Sequence, residues 1–309
     1  MSTAEGDLPA GWWVCNPDSG DYPALLRKVD GAPSLAVRGS LEPGAEMVAI
    51  VGARRASSYG EEVAYELGLR LAAAGVTVVS GMARGIDGAA HRGALDGRGR
   101  TVAVMGTGPD TIYPPEHRLL AGRIAASGAL VTQFGVGMRP LKSNFPTRNA
   151  TISGMSLGVV VVEARRQSGA MLTAGSAGSQ GRTVMAVPGS VHNPASRGCH
   201  DLIRDGALLV ASAHDVLGEL RSDPLMRLLD APAEPASVYG DARDAILGAL
   251  SAGSLTLEEI VATVAVPSSE AVTAVARLRL DQQVRIREGA YGLVGQASRG
   301  NRGLRNRVV

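Results

Sequence analysis

From Met47 onward the chain alternates short apolar runs with longer stretches in which apolar residues recur at helical spacing. The runs are Val48–Val51, Val76–Val79, Thr101–Met105, Ala129–Gln133, Val159–Val162, Val184–Val187 and Ala207–Val210. Several are apolar at consecutive positions, so both faces of each strand must be covered, as in a parallel sheet packed between helices. Between the first two runs, Gly60–Ala74 carries apolar residues at helical spacing, and Gly75 supplies a stop. This alternation predicts a Rossmann-like α/β core, a doubly wound, mostly parallel sheet over residues 47–220. Right-handed crossovers then bring the loops that follow the strands to one edge, where such sheets bind ligands.

The flanks read differently. Residues 1–46 hold short mixed elements, with Leu35–Arg38 as an edge strand, and form an N-terminal extension expected to pack on the core. Residues 221–240 place Pro224, Pro232 and Pro235 among small residues and read as a linker. Over 241–295 the pattern gives helices near Asp241–Leu250, Thr256–Val264 and Ser268–Asp281, then strands Val284–Arg287 and Tyr291–Val294 joined around Glu288 and Gly289. Thr256 or Ser254 is placed to cap the second helix, and Ser268, after Pro267, the third. Three helices and a hairpin predict a small winged-helix domain. The tail, 296–309, carries Arg299, Arg302, Arg305 and Arg307 without an acid, and is expected to be disordered and open to phosphates.

Composition narrows the functional classes. The 31 basic and 29 acidic residues leave a net charge of +2, which neither demands nor excludes a polyanionic partner. Cys15 and Cys199 are the only cysteines and form no CxxC pair or disulfide framework, which suits a reducing compartment. The first residues, MSTAEGDLPAGWW, lack the basic-then-apolar pattern of a secretory signal, and no run approaches the roughly 18 apolar residues of a membrane span. The expected location is the cytoplasm. Dispersed histidines, with His192 and His200 outside any HExxH frame, argue against a metal site. The GxxxxGK[ST] loop of ATPases and the GxSxG elbow of hydrolases are absent, and no cofactor is expected.

Four loops carry candidate chemistry, each after a predicted strand. GARRASSYG, residues 52–60, sits where a dinucleotide fingerprint would, but lacks GxGxxG, and the next strand ends in Ser80 and Gly81 with no acid for a ribose. It is either an anion-binding turn using Arg54 and a helix N-terminus, or a structural turn with solvated arginines. SGMARGIDGAAH, residues 80–91, offers Ser80, the N–H groups around Gly81 and the Arg84 side chain to a phosphate. Within it, Asp87 either caps a helix and orients His91, one turn on, or forms an acid–base pair with it. KSNFPTRN, residues 142–149, combines Lys142, Phe145 and Arg148 on one loop: cations for a backbone and a ring for a base, unless Phe145 is core. Lys28 and Lys142 are the only lysines, and Phe134 and Phe145 the only phenylalanines. In EARRQSGAMLT, residues 163–173, Ser168, Gly169 and Thr173 suit another anion-binding turn, and Glu163 is a candidate general base of a nucleotide hydrolase. Four cation-bearing loops on one rim suit an extended polyanion better than one small nucleotide.

The segments VAIVGARRASSYG, VVSGMARGIDGAAHRGAL, TVAVMGTGPDTIYPPEH, NFPTRN, VVVVEARRQSGAMLTA and GRTVMAVPGS, in this order over residues 20–220, resemble the DprA/Smf family of DNA-processing proteins. The resemblance implies an extended Rossmann domain, often followed by a winged helix. It also implies a homodimer that binds and protects incoming single-stranded DNA and helps load the RecA recombinase during natural transformation, with no established enzymatic activity. It assigns DNA binding to Arg54, Lys142 and Phe145. Arg148 and Asn149 fall in the PxRN segment, and Ser80–Gly85 and Ser168–Thr173 match phosphate-facing loops, which brings Ser80, Gly81, Arg84, Gly85, Ser168, Gly169 and Thr173 into the candidate site. Two departures stand out: the family pattern FPxRNR has Ala150 in its last position here, which implies one cation fewer, and the family's N-terminal helical domain is absent or reduced to residues 1–20. Two other readings remain open. One is a nucleoside-monophosphate phosphoribohydrolase using Glu163 and Arg165, although the PGGxGTxxE segment of those enzymes is missing. The other is a winged-helix transcription regulator, although Ser268–Asp281 is poor in cations for a major-groove reader.

Overall fold

A strand with apolar residues at every position has no face to offer water, and the central strands of this protein are buried on both sides. In chain order the strands are β1 (Trp12–Cys15), β2 (Leu35–Gly39), β3 (Met47–Val51), β4 (Thr77–Ser80), β5 (Thr101–Val104), β6 (Ala129–Thr132), β7 (Gly158–Val161), β8 (Thr183–Ala186) and β9 (Leu208–Leu209). The helices among them are α1 (Ala24–Arg27), α2 (Ser58–Ala73), α3 (Ile86–Asp96), α4 (Arg118–Ser127), α5 (Asn144–Met155), α6 (Gly169–Ser179), α7 (Arg197–Arg204) and α8 (Ala213–Leu220). The computed structural model describes residues 8–220, 236–264, 266, 271, 272, 274, 275, 278, 283–287 and 290–293. They fall in two units, Met1–Asp230 and Ala231–Val309.

The first unit is built on one sheet in the order β1-β2-β6-β5-β4-β3-β7-β8-β9. Neighbours from β6 through β9 are parallel. The chain lays β3 to β6 outward on one side, then returns to place β7 against the free side of β3, in register from Val48↔Gly158 to Val51↔Val161. Strand order reverses there, and the C-terminal ends of β3 and β7 diverge into a crevice. Alternate residues serve opposite faces of the sheet. Met47, Ala49 and Val51 of β3 join Val159 and Val161 of β7 in one core, while Val48 and Ile50 join Val160 and Val162 in the other.

The N-terminal extension does more than pack on this core; it extends the sheet. Leu35–Arg38 forms a strand as expected, but not at the edge. β2 pairs antiparallel with β6 and is itself covered by antiparallel β1, from Trp12↔Arg38 to Cys15↔Leu35. Only Cys15 of β1 is fully buried, so its sequence carries no both-face burial signal.

In the second unit, α9 (Ala236–Ser251) begins before the expected Asp241, and α10 (Leu257–Thr263) follows. Thr256 closes a capping box on α10: its hydroxyl accepts from Glu259 N, and Glu259 Oε2 accepts from Thr256 N at 2.8 Å. β10 (Val284–Arg287) and β11 (Ala290–Leu293) form the expected hairpin. Ile246, Leu250, Ile260, Val275 and Leu278 share its core. Residues 271, 272, 274, 275 and 278 are helical. The rest of the anticipated third helix, with the Ser268 cap, lies outside the described residues, as do 221–235 of the expected linker, Glu288 and Gly289, and the 296–309 tail. Among the described residues no helix is long and apolar enough to cross a membrane.

Candidate functional site

The crevice at the β3–β7 reversal has a volume of about 210 Å³. Its walls are the turn after β3 with Arg54, the loop after β4 with Ala83, the first turn of α3 with Asp87, the start of α6, and one face of α5. That face shows how the sequence builds the site. Phe145, Arg148, Asn149 and Ile152 stand at i, i+3, i+4 and i+7, one stripe of a helix, and all four line the crevice. Phe145 and Arg148, expected on a loop with Lys142, instead stand on α5, which begins at Asn144. Pro146 permits this because in the first helical turn its missing N–H has no intrahelical partner to lose.

Arg148 is the pivot. It is buried, and its Nη1 donates to Gly81 O and to Val104 O, the latter at 2.6 Å, tying together the ends of β4 and β5. Its Nε donates to Asn149 Oδ1 at 3.2 Å, and Asn149 Nδ2 donates to Gly169 O at 3.0 Å, which carries the tie across to α6. Burial lowers the Arg148 guanidinium to about 10, against the opposing pull of the Asp87 charge. Burial likewise raises the Asp87 carboxyl, with Arg148 and a backbone hydrogen bond from Ala83 holding the rise back. Asp87 is thus a loop anchor. Its Oδ2 accepts from Gly81 N and Ala83 N at 3.2 Å each, while the helix cap expected of it falls to Gly85.

Arg54 reaches over from the β3 turn. Its guanidinium carbon is 4.5 Å from the centroid of the Phe145 ring, and that of Arg148 is 5.6 Å from the same centroid. Both approaches fall within cation–π range. Phe145 is half-buried and fixed at one edge by Gly106, whose bare Cα leaves room for the ring. On the opposite wall α6 opens with Ser168 as N-cap. The Ser168 hydroxyl is buried without a hydrogen-bond partner, although N-cap serines commonly accept from the first turn. No acid lies in that first turn. An unsatisfied hydroxyl beside the positive end of a helix dipole suits an anion. Gly169 and Thr173 line the same wall, Thr173 donating to Gly169 O at 3.2 Å.

Other anticipated residues stand elsewhere. Ser80 is fully buried and donates to Ile50 O at 2.6 Å, and Gly81 gives its N–H to Asp87, so neither presents a free donor to the crevice. Arg84 lies on the rim, exposed, ion-paired with Glu116. Gly85 does not line the crevice; its φ of +69° makes the turn before α3, where a Cβ would fall 2.4 Å from Ala53 O. Lys142 is exposed in the turn ahead of α5, outside the crevice walls. Ala150 is also outside them, so the cation missing from the family pattern is not a wall residue.

His91 is not oriented by Asp87. It is fully buried and bonded through Nδ1 to Thr101 Oγ1 at 2.7 Å. Glu163 is fully buried as well: it accepts from Ser57 N at 2.9 Å, Ser57 Oγ at 2.6 Å and Asn193 Nδ2 at 3.2 Å. Ser57 Oγ in turn caps α2 by accepting from Gly60 N. Glu163 therefore latches the end of β7 to the start of α2, and its oxygens are committed to that latch. Arg165 is exposed. Among the described residues no cluster of three His, Cys, Asp or Glu side chains is placed to hold a metal ion. What remains at the crevice is two guanidiniums against one carboxylate, an aromatic ring and a helix N-terminus. The volume is below the roughly 300–1,000 Å³ of small-molecule pockets, enough for a phosphate and its sugar but not for a dinucleotide.

The sequence profile of the family described as DNA recombination-mediator protein A matches residues 13–221. Protein Smf of Escherichia coli strain K12 is 46% identical over 218 residues, which cover 70% of this chain and 58% of that relative. The chain thus spans less than two thirds of that relative's length. The X-ray structure of DNA processing protein A from Streptococcus pneumoniae superposes with a TM-score of 0.65 at 38% identity, covering 68% of this chain and 75% of that one. That of DNA processing protein A from Helicobacter pylori, described for its single-stranded DNA binding mode, gives 0.62 at 24% identity, covering 69% and 96%. At that identity the likeness establishes the fold.

Proposed function

Because the chain belongs to the family of DNA recombination-mediator protein A, we propose that its β3–β7 crevice binds single-stranded DNA. The observation that carries this reading is the convergence of Arg54 and Arg148 on Phe145, facing the α6 N-terminus with its unsatisfied Ser168 hydroxyl. Cations that follow a backbone, with an aromatic ring for a base, are the usual means of holding single strands. The site is concave and narrow, so it receives a flexible strand more readily than the convex face of a duplex. The Helicobacter pylori protein of this fold, studied for its single-stranded DNA binding mode, supports the same reading.

The wider role rests on kinship. In it the protein protects incoming single strands and helps load the RecA recombinase during natural transformation, as a cytoplasmic homodimer without enzymatic activity of its own. Lys142, outside the crevice, then serves as a flanking cation for a longer strand, and the second unit contacts protein or DNA backbone.

The test is binding of single-stranded and duplex oligonucleotides to the whole chain across a salt series, with oligomeric state measured alongside. Single strands are expected to bind more tightly, with log K falling linearly in log salt, and Arg54→Ala to lower that slope by about one unit. Equal affinity for duplex, or affinity unchanged by Arg54→Ala, would overturn the assignment.

A further inference from the structure

The crevice does not end at Phe145. Toward the ends of β4 and β5 it continues into a second recess, which shares Arg54, Ala83, Phe145 and Arg148 with it and adds Arg84, Tyr113 and Pro114. This recess is small, about 20 Å³, and so cannot enclose a base. What it offers is a surface on which one can lie.

Tyr113 supplies that surface. Its side chain is 38% exposed, and among the described residues no guanidinium lies over its ring, whereas Phe145 has two nearby. An isolated exposed tyrosine needs no explanation. Here aromatics make up only 3% of the chain, and two of them border one continuous depression. The loop carrying Tyr113 is also held in place. Thr107 Oγ1 donates to Thr111 O at 2.6 Å, and Asp110 Oδ1 accepts from Gly137 N at 2.8 Å. A ring on a braced loop loses little freedom when a base stacks on it.

Charge separates a base from a phosphate at this position. Arg84, the one cation this recess adds to Arg54 and Arg148 of the crevice, is engaged by Glu116, so the pair beside Tyr113 is neutral overall. A phosphate there would meet the Glu116 carboxylate at close range. A base would not be repelled, and its polar edge would find both a donor and an acceptor.

We propose that Tyr113 is a second base platform, on which a base of the bound strand stacks beside the Arg84–Glu116 pair while a neighbouring phosphate occupies the main crevice. This rests on the reading of that crevice as a single-stranded DNA site, and the experiment separates the two.

Oligothymidylate binding to the full chain is measured for wild type, Tyr113→Ala and Tyr113→Phe across a salt series. Tyr113→Ala is expected to weaken binding by about 5- to 100-fold with little change in salt slope, since a stack and no phosphate contact is lost. Tyr113→Phe, which keeps the ring, is expected to regain most of that loss. Wild-type affinity in Tyr113→Ala, or an equal loss in Tyr113→Phe, overturns the platform and leaves the crevice reading standing. Failure of the wild-type chain to bind overturns the crevice reading itself. Photocrosslinking of 4-thiothymidine oligonucleotides to the unmutated chain needs no variant to fold. A crosslinked Tyr113 peptide is expected, and crosslinks confined to other segments overturn the proposal.

Discussion

The Arg54 guanidinium carbon stands 4.5 Å from the centroid of the Phe145 ring, joining the turn after β3 to the first turn of α5. An unpaired surface arginine samples many rotamers. One held against a ring presents its N–H groups in a narrower range, and less freedom is lost when a phosphate binds it.

The two side chains are therefore expected to act as a unit in DNA binding. Arg54→Ala and Phe145→Ala should each weaken single-strand affinity, and the double variant should weaken it by less than the sum, with a coupling of about 0.5–2 kcal/mol. Fluorescence anisotropy on the four proteins of the cycle measures it. Additivity within about 0.3 kcal/mol would mean that the contact has no bearing on binding.

His91 makes stability depend on pH. Thr101 Oγ1 donates its hydrogen to Val78 O at 2.8 Å, so it accepts from His91, and Nδ1 carries the imidazole proton. Nε2 is left as a lone pair in the core without a partner. Burial, reinforced by His117, lowers the group from 6.5 to about 3. Between those values the unfolded chain binds the proton and the native one does not. Stability is therefore full above about pH 6.5 and lost as pH falls, by up to about 1.4 kcal/mol per unit. Asp87 works in the opposite sense: its raised carboxyl favours the native state in acid and loses that contribution as pH rises. Urea midpoints of wild type and His91→Asn between pH 7 and 4.5 isolate the histidine. The variant should show the flatter profile, and parallel profiles would assign the acid sensitivity elsewhere.

Two glycine-to-alanine changes in helices should have opposite signs. A Cβ on Gly93 of α3 would fall 2.0 Å from the Tyr65 carbonyl oxygen of α2, so Gly93→Ala must push the two helices apart and is expected to destabilise by about 1–3 kcal/mol or more. Gly122 of α4 is exposed, with nothing near its would-be Cβ. There the lower backbone entropy of alanine in the unfolded chain should stabilise by about 0.5–1 kcal/mol. Thermal denaturation of both variants reads the difference, and a shared sign would show that the α2–α3 approach is not limiting.

The parallel strands were legible because burial on both faces leaves a mark in the sequence: Val48–Val51 and Val159–Val162 have no polar position to confuse the pattern. β1 left no such mark, since Trp12, Trp13 and Val14 are only half-buried and their pairing depends on a strand some twenty residues away. At the site, residue type revealed the chemistry but not the geometry. Arg148 reads as a free cation until its contacts with Gly81 O and Val104 O are seen. Ser80 reads as a phosphate ligand until Ile50 O takes its hydroxyl. Glu163 reads as a base until Ser57 and Asn193 claim its oxygens. Each of these depends on partners far away in the chain, which spacing does not encode. Tyr113 lies in TVAVMGTGPDTIYPPEH, where residue type alone does not set it apart, and only its place beside Phe145 singles it out.

The pairing of β3 with β7 also sets an order of events during synthesis. β3 leaves the ribosome more than a hundred residues before the strand that covers its second edge. Until Gly158–Val161 emerge, Met47–Val51, all buried in the finished protein, present an open apolar edge able to pair with any extended chain nearby. Long-range pairings of this kind form slowly and leave half-made chains prone to associate. A polypeptide interrupted before β7 is expected to aggregate, and the crevice comes into being only once β7 has docked and α6 has followed it.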